Sequence, residues 1–394
     1  MNFARNLEVQ KNFVRYQIKV AGIWIWCLNH YRPHLDEVEP AYRMMKHGTK
    51  KFIAEHCRRV GQDYLVRVGC MNDEFDEHRP HGGERKEREC AATLVAKALG
   101  CEEDAALRYT RDNDLDAKEQ KNGLASTLWM LQRMFPLRQI EVINWGLTAL
   151  KAKDMAAPDD KDFSVDKIAT YVAKKLPKHA DAWCQLLAEG RAAQKAAFEA
   201  AVEQIKKEGQ ILIIDGPKGE KQTERKLRLL VIQSDNTEIA RASRFKDSGA
   251  NADIVVIRNA RCQVSITPSA RANLKFFDLA QMLRYEEKKA RGDATFDKWR
   301  ELSNEGPGSD GIWFFAHAGQ FLLNGSFTAP ATPPTKLSLD SIIEYIKIAV
   351  RPIRFYSSIC WQHGCSSTRE NPCPWYNWGL GRCRHKRNLN PTEE

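Results

Sequence analysis

The stretch ADAWCQLLAEGRAAQKAAFEAAVEQIKKE, residues 180–208, constrains the fold more than any other. Alanine recurs along it with charged residues between. Alanine loses no side-chain entropy in a helix, so the run predicts one long helix. A helix of this length connects domains, and the chain on either side must then build its own core. Before it, AGIWIWCL (21–28) and DYLVRVGC (63–70) read as strands. Residues 37–47, ERECAATLVAKALG (87–100, with Gly100 as its stop) and LASTLWMLQRMF (124–135) have helical spacing. That alternation predicts an α/β domain on a parallel sheet. AAPDDKD (156–162) is a polar break. After the connector, GQILIIDGPKGE, LRLLVIQSD, ADIVVIRNA and CQVSITP are β-branched runs bounded by turn residues. They predict strands of a second, smaller α/β domain. LKFFDLAQMLRYEEKKARGD returns to helix, and a proline-rich loop leads into LDSIIEYIKIAV, capped by Ser338 or Asp340. The expected organisation is a first domain over 1–155, a helical linker over 156–209, a second domain over 210–355 and a Cys-rich tail over 356–394.

Apolar residues make up 43% of the 394, which is enough for two packed cores. No stretch is apolar enough to span a membrane, and MNFARNLEVQKNF lacks the apolar centre of a signal peptide. The expected location is the cytoplasm. Lysine and arginine outnumber acids 61 to 51, a formal charge of +10. This favours a polyanionic partner such as nucleic acid, although a generic basic protein fits the excess equally well. Of eleven cysteines, seven are scattered and read as buried thiols.

Three polar clusters follow these elements. The first, after the strand at 21–28, holds His30, His34, Asp36 and Glu37. The second holds Asp73, Glu74, Asp76, Glu77, His78 and His81, and the third Asp112, Asn113, Asp114 and Asp116. Imidazole and carboxylate together suit Mn²⁺ or Mg²⁺, and ligands in open α/β sheets bind beyond the carboxyl ends of strands. The plain alternative for each cluster is a solvated loop.

The first cluster, His-x-x-x-His-x-Asp-Glu, resembles the opening motif of the DHH phosphoesterase superfamily, closest to its melanocyte-proliferating-gene type of exonuclease. Val68-Gly69 and Phe75-Asp76-Glu77-His78 stand where that branch has a strand end and an aromatic-D-H-H motif. Asp112-Asn113 matches a later Asp-Asn pair, and ADIVVIRNARCQVSI and GIWFFAHAGQFLLNGS look like its C-terminal domain. The resemblance covers about residues 20–330. It implies a DHH-like N-terminal domain in which His30, His34, Asp36, Asp76, Glu77 and Asp112 hold one or two Mn²⁺ or Mg²⁺ ions. His78 then touches the substrate phosphate; Arg85, with Lys86 and Arg88 after the pair Gly82-Gly83, either binds further phosphates or opens a solvated helix. His317, Asn324, Gly325 and Ser326 are the implied substrate-reading segment, although a lone histidine in an apolar run reads more simply as a satisfied core histidine in a strand-turn. Two departures stand out: Glu77 replaces the first histidine of D-H-H, and Arg67 stands in the reaction centre where the family has a bridging aspartate. An arginine there repels a cation.

The tail spaces its thiols as Cys360-x4-Cys365-x7-Cys373-x9-Cys383. Four thiolates suit structural Zn²⁺ or an iron–sulfur cluster, and zinc is the preferred expectation. Arg382, Arg384 and Lys386 beside Trp375, Tyr376 and Trp378 suit single-stranded nucleic acid. The expected activity is metal-dependent phosphodiester hydrolysis of nucleic acid by an exonuclease. The alternatives are a nucleotide or small phosphoester hydrolase, and a catalytically weak binder of nucleic acid or protein.

Overall fold

The computed structural model describes residues 3–71, 73–76, 89–116, 120, 122–216, 225–293, 301–309, 311–326 and 329–350. They form two compact units, the first over Met1–Ala197 with Phe327–Ala331 and the second over Phe198–Ser326 and on from Thr332.

The first unit opens with a meander of β1 (Ala4–Gln10), β2 (Phe13–Val20) and β3 (Ile23–His30). Ala21 and Gly22 join β2 to β3 with φ of 47° and 85°. Two consecutive positive φ values make the tight turn whose twist matches a hairpin, and glycine takes the second at no steric cost. Then come α1 (Leu35–His47), α2 (Lys50–His56), β4 (Arg58–Val60) and β5 (Asp63–Arg67). The sheet order is β1-β2-β3-β5-β4, and among the described residues only β3 and β5 run parallel. Five helices complete the unit's core: α3 (Ala91–Ala98), α4 (Ala105–Asp116), α5 (Leu124–Met134), α6 (Gln139–Ala156) and α7 (Val165–Lys175). Tyr16, Ile18, Ile25 and Cys27 face Val38, Met44, Leu128 and Ile143 within that core.

The predicted connector is helix α8 (Pro177–Glu208). Its start is fixed to α6 by a reciprocal pair: the Trp145 and Trp183 indoles stack at 4.6 Å and each donates to the other's carbonyl, at 3.1 and 3.0 Å. Its last turns place Ala201 and Ile205 against Leu230, Ile232 and Val255 of the second unit's sheet.

That sheet contains β6 (Gln210–Asp215), β7 (Lys226–Gln233), β8 (Ile254–Arg258), β9 (Val264–Pro268), β10 (Phe314–Ala316) and β11 (Phe321–Leu323). The short α9 (Ile239–Ala242) lies between β7 and β8, and α10 (Phe277–Ala290) follows β9. In α11 (Leu339–Ala349), Ser338 caps the helix by accepting from the Ser341 amide at 3.1 Å. The order is β10-β11-β9-β8-β7-β6, again with one parallel pair, β7 and β8.

The class is therefore mixed α/β with two sheets, and the expected parallel sheet is not what forms. Short turns join most neighbouring strands, and a short turn permits only antiparallel neighbours. Of the scattered cysteines, Cys27, Cys70 and Cys90 are buried thiols as expected, whereas Cys184 and Cys262 are exposed. Among the described residues no helix is long and apolar enough to cross a membrane.

Candidate functional site

The parallel pairing of β3 with β5 brings their carboxyl ends together. The Val68 amide donates to the Leu28 carbonyl at 2.9 Å, and the buried Asn29 side chain donates to the Val68 carbonyl at 3.3 Å. Gly69, at φ +67°, turns the chain so that its amide meets the Phe75 carbonyl at 2.8 Å. A Cβ on Gly69 would sit 3.0 Å from Glu37 Cγ and 3.1 Å from its Oε1. Glycine is thus required twice here, by conformation and by the carboxylate against it.

Glu37 is the third residue of α1, where a carboxylate meets unpaired amides at a helix start. Its Oε2 accepts from the amide of His34, the residue capping the helix, at 2.9 Å. Its Oε1 accepts from the His30 amide at 2.9 Å and from His30 Nδ1 at 3.0 Å. Burial pushes the Glu37 carboxyl up, but the charge and hydrogen bond of His30, with the charge of His34, hold it below its ordinary value. The His34 ring stands edge-on to Trp129 at 4.7 Å.

Asp36 and Asp76 are both buried. The Asp76 amide donates to the Asp73 carbonyl at 3.0 Å, in the turn that follows Gly69. The Cys70 thiol is pushed far up by burial, then by Glu37, Cys27 and Asp76, so it stays protonated. Arg67 donates to Asp73 at 3.3 Å and Arg58 donates to the same carboxylate at 3.1 Å. Asp73, the acid nearest in sequence to replace the bridging aspartate, is therefore engaged by two arginines.

The third cluster is not a loop: Asp112 lies inside α4. The helical run from Ala105 carries through it, and its carboxylate is bonded to Arg111 at 3.2 Å. Among the described residues no hydrogen bond or ion pair joins Asp112 to His30, His34, Asp36 or Asp76. Glu77, His78 and Arg85 lie outside the described residues. Within those described, no three His, Cys, Asp or Glu side chains form a group able to hold a metal ion.

The residues expected to read substrate are placed in the second unit as supports. His317 Nε2 donates to the Ser303 carbonyl at 2.8 Å, and its ring packs on Phe277 and Phe315 at 5.1 and 5.0 Å. The buried Asn324 donates to the carbonyls of Ile312 and Pro333 at 3.1 and 2.9 Å and accepts from the Thr335 amide at 2.7 Å. Gly325, at φ +76°, lies where a Cβ would be 2.5 Å from the Gln263 side chain. Ser326 follows, half-buried. Cys360, Cys365, Cys373 and Cys383 lie outside the described residues.

Two features of α1 escaped the sequence reading. One is Glu37 as the anchor of His30, signalled by its place three residues after the capping position. The other is a pocket lined by Glu39, Arg43, Lys46, Asp104, Lys153 and Asp154. There Glu39 pairs with Arg43, and burial pushes its carboxyl up to about 7 against that pairing, with Asp104 adding to the rise. No protein-family model matches the chain, and no curated protein matches it.

Proposed function

We propose that the protein is a metal-dependent phosphodiester hydrolase acting on nucleic acid, an exonuclease of DHH-like chemistry, with its reaction centre at the carboxyl end of β3. One observation carries the reading: His30 Nδ1 is bonded to the buried Glu37 carboxylate at 3.0 Å. A carboxylate behind an imidazole fixes the ring and, in the neutral form, leaves the lone pair on Nε2, which is how histidine ligands are oriented. In this reading a Mn²⁺ or Mg²⁺ ion would have to draw His30, His34, Asp36 and Asp76 together, since they form no ligand group among the described residues, with Glu77 as a further ligand; Asp112, inside α4 and bonded to Arg111, leaves the proposed set. Such ions activate water and stabilise the leaving oxygen of a phosphodiester. His78 contacts the phosphate in this reading, and the four tail cysteines hold a structural Zn²⁺.

The pairing of Arg67 and Arg58 with Asp73 favours a second reading. Two guanidiniums beside the proposed centre repel a cation and attract phosphate, as in a weakly catalytic binder of nucleic acid.

Release of mononucleotides from a single strand, with and without Mn²⁺, separates the two. The hydrolase reading expects Mn²⁺-dependent release that falls more than about a hundredfold in Asp36→Asn, since each ligand contributes several kcal/mol of charge stabilisation. Activity within a few-fold of wild type removes Asp36 from the ligand set. Tight, salt-sensitive binding without product supports the second reading.

A further inference from the structure

Side chains alternate along a strand, and residues directly opposite on neighbouring strands share a face. The pairs Tyr16–Cys27 and Ile18–Ile25 belong to the core of the first unit. The intervening pairs, Lys19–Trp24, Gln17–Trp26 and Arg15–Leu28, therefore occupy the other face. The same row ends at Phe13–His30, whose rings stack at 6.1 Å. β5 widens it with Leu65 opposite Trp26 and Arg67 opposite Leu28.

This face is aromatic and basic. The Arg5 guanidinium lies over the Trp24 ring at 3.7 Å and that of Arg15 over Trp26 at 4.6 Å. Gln17 Oε1 accepts from Arg5 at 3.2 Å, Glu8 accepts from Arg15 Nε at 2.9 Å, and Asp63 accepts from the Trp26 indole at 3.3 Å. The cations Arg5, Arg15, Lys19, Arg58 and Arg67 thus face the acids Glu8, Asp63 and Asp73, an excess of positive charge. Arg5 and Lys19 are exposed and Trp24 is half-buried, whereas Gln17, Trp26 and Leu28 are buried beneath the side chains above them.

We propose that this face binds single-stranded nucleic acid, its bases stacking on the half-buried Trp24 and on the guanidiniums of Arg5 and Arg15, and its phosphates meeting the surrounding cations. A guanidinium lying on an indole has a second flat side, and bases stack on guanidinium planes as they do on aromatic rings. Such stacking tolerates any base, because every base has a π-face. A duplex keeps its bases stacked inside and offers this face its phosphates alone. The row runs along β3 to His30, so a strand lying on it is led to the proposed reaction centre. That last clause rests on the hydrolase reading, whereas the binding does not.

The test uses the full chain in EDTA, with fluorescence anisotropy of a labelled oligo-dT and of the corresponding duplex. The single strand should bind more tightly. Trp24→Ala should weaken it about tenfold and Trp24→Phe by less than about threefold, as loss and retention of one stacking platform require. Arg5→Gln with Arg15→Gln should lower the salt slope by about 1.4, at about 0.7 per single-strand phosphate. Unchanged affinity in both Trp24→Ala and the double arginine variant overturns the proposal, and so does equal affinity for duplex. If Trp24→Ala fails to fold by circular dichroism, the double arginine variant decides. Binding that behaves as expected without Mn²⁺-dependent cleavage counts against the hydrolase reading alone.

Discussion

Each unit buries a carboxylate carried on a helix, and the two use it differently. In the second unit Glu287 accepts from Arg291 at 2.7 Å, the Trp313 indole at 3.2 Å, the Lys336 amide at 3.0 Å and the Thr335 hydroxyl. Arg284, also buried, donates to the carbonyls of Leu302, Asn304 and Trp313, and to Gly306. Asn324 is bonded to backbone on both ends of its amide. These polar groups hold a loop in place. Glu37 in the first unit holds two backbone amides and one imidazole, a group of the type that can ligate a metal or carry a proton. Burial and full bonding therefore do not by themselves mark a reaction centre. What matters is whether the last partner still carries chemistry.

The largest expected effect breaks the scaffold half of this comparison. Arg284→Met should cost about 4 kcal/mol or more, because each backbone carbonyl left buried without a donor costs about 1–3 kcal/mol. Denaturant unfolding measures it. A loss below about 1 kcal/mol would mean that water replaces the guanidinium, and the loop would then owe little to it.

Asn324 and Glu37 are a matched pair of buried, fully bonded groups. Asn324→Ala and Glu37→Gln should each cost about 1–3 kcal/mol, since both strand buried partners. Only Glu37→Gln should reduce cleavage and Mn²⁺ retention per folded molecule. The two should also separate with pH. Glu37 is held below its ordinary value, so its contribution to stability is present above that value and is lost as pH falls through the folded one. The cost of Glu37→Gln should therefore fade on acidification, while that of Asn324→Ala should not. Loss of cleavage in Asn324→Ala would restore a substrate role to the second unit.

Much of this was legible in the sequence, for reasons that vary by region. The strands from Gln210 to Pro268 are short β-branched runs with turn residues at both ends, and they formed as expected. The connector formed because alanine and interleaved charges leave a long segment no better option. β1 and β2 were missed because NLEVQ and FVRYQIKV set a polar or charged residue at every other position, as a sheet with one wet face requires. Asp112 was misplaced because a DND triplet reads as a turn, whereas here the helix begun at Ala105 has already committed those residues. That His317 is a satisfied histidine between two strands was legible from its apolar run, whereas the partners of His317 and Asn324, namely Ser303, Ile312 and Pro333, come from segments without a periodic signature.

The smallest expected effect tests Glu37 most directly, through two glycines. Gly22 and Gly69 both have positive φ, at 85° and 67°, so alanine at either costs about 1–2 kcal/mol from the left-handed backbone. Their surroundings differ. A Cβ on Gly22 meets nothing within 4 Å, whereas one on Gly69 meets Glu37 Cγ at 3.0 Å and Oε1 at 3.1 Å. Both contacts are tight enough that the carboxylate must give by a few tenths of an ångström. Such a shift loosens the bond to His30 Nδ1 without removing a charge or a donor. Gly22→Ala and Gly69→Ala should therefore lose similar stability in thermal unfolding, and only Gly69→Ala should lower Mn²⁺-dependent cleavage. A reaction centre held to within about half an ångström responds to displacements of this size. Equal cleavage in the two variants would show that the placement of Glu37 is structural, and the end of β3 would then differ from the end of β11 in its residues alone.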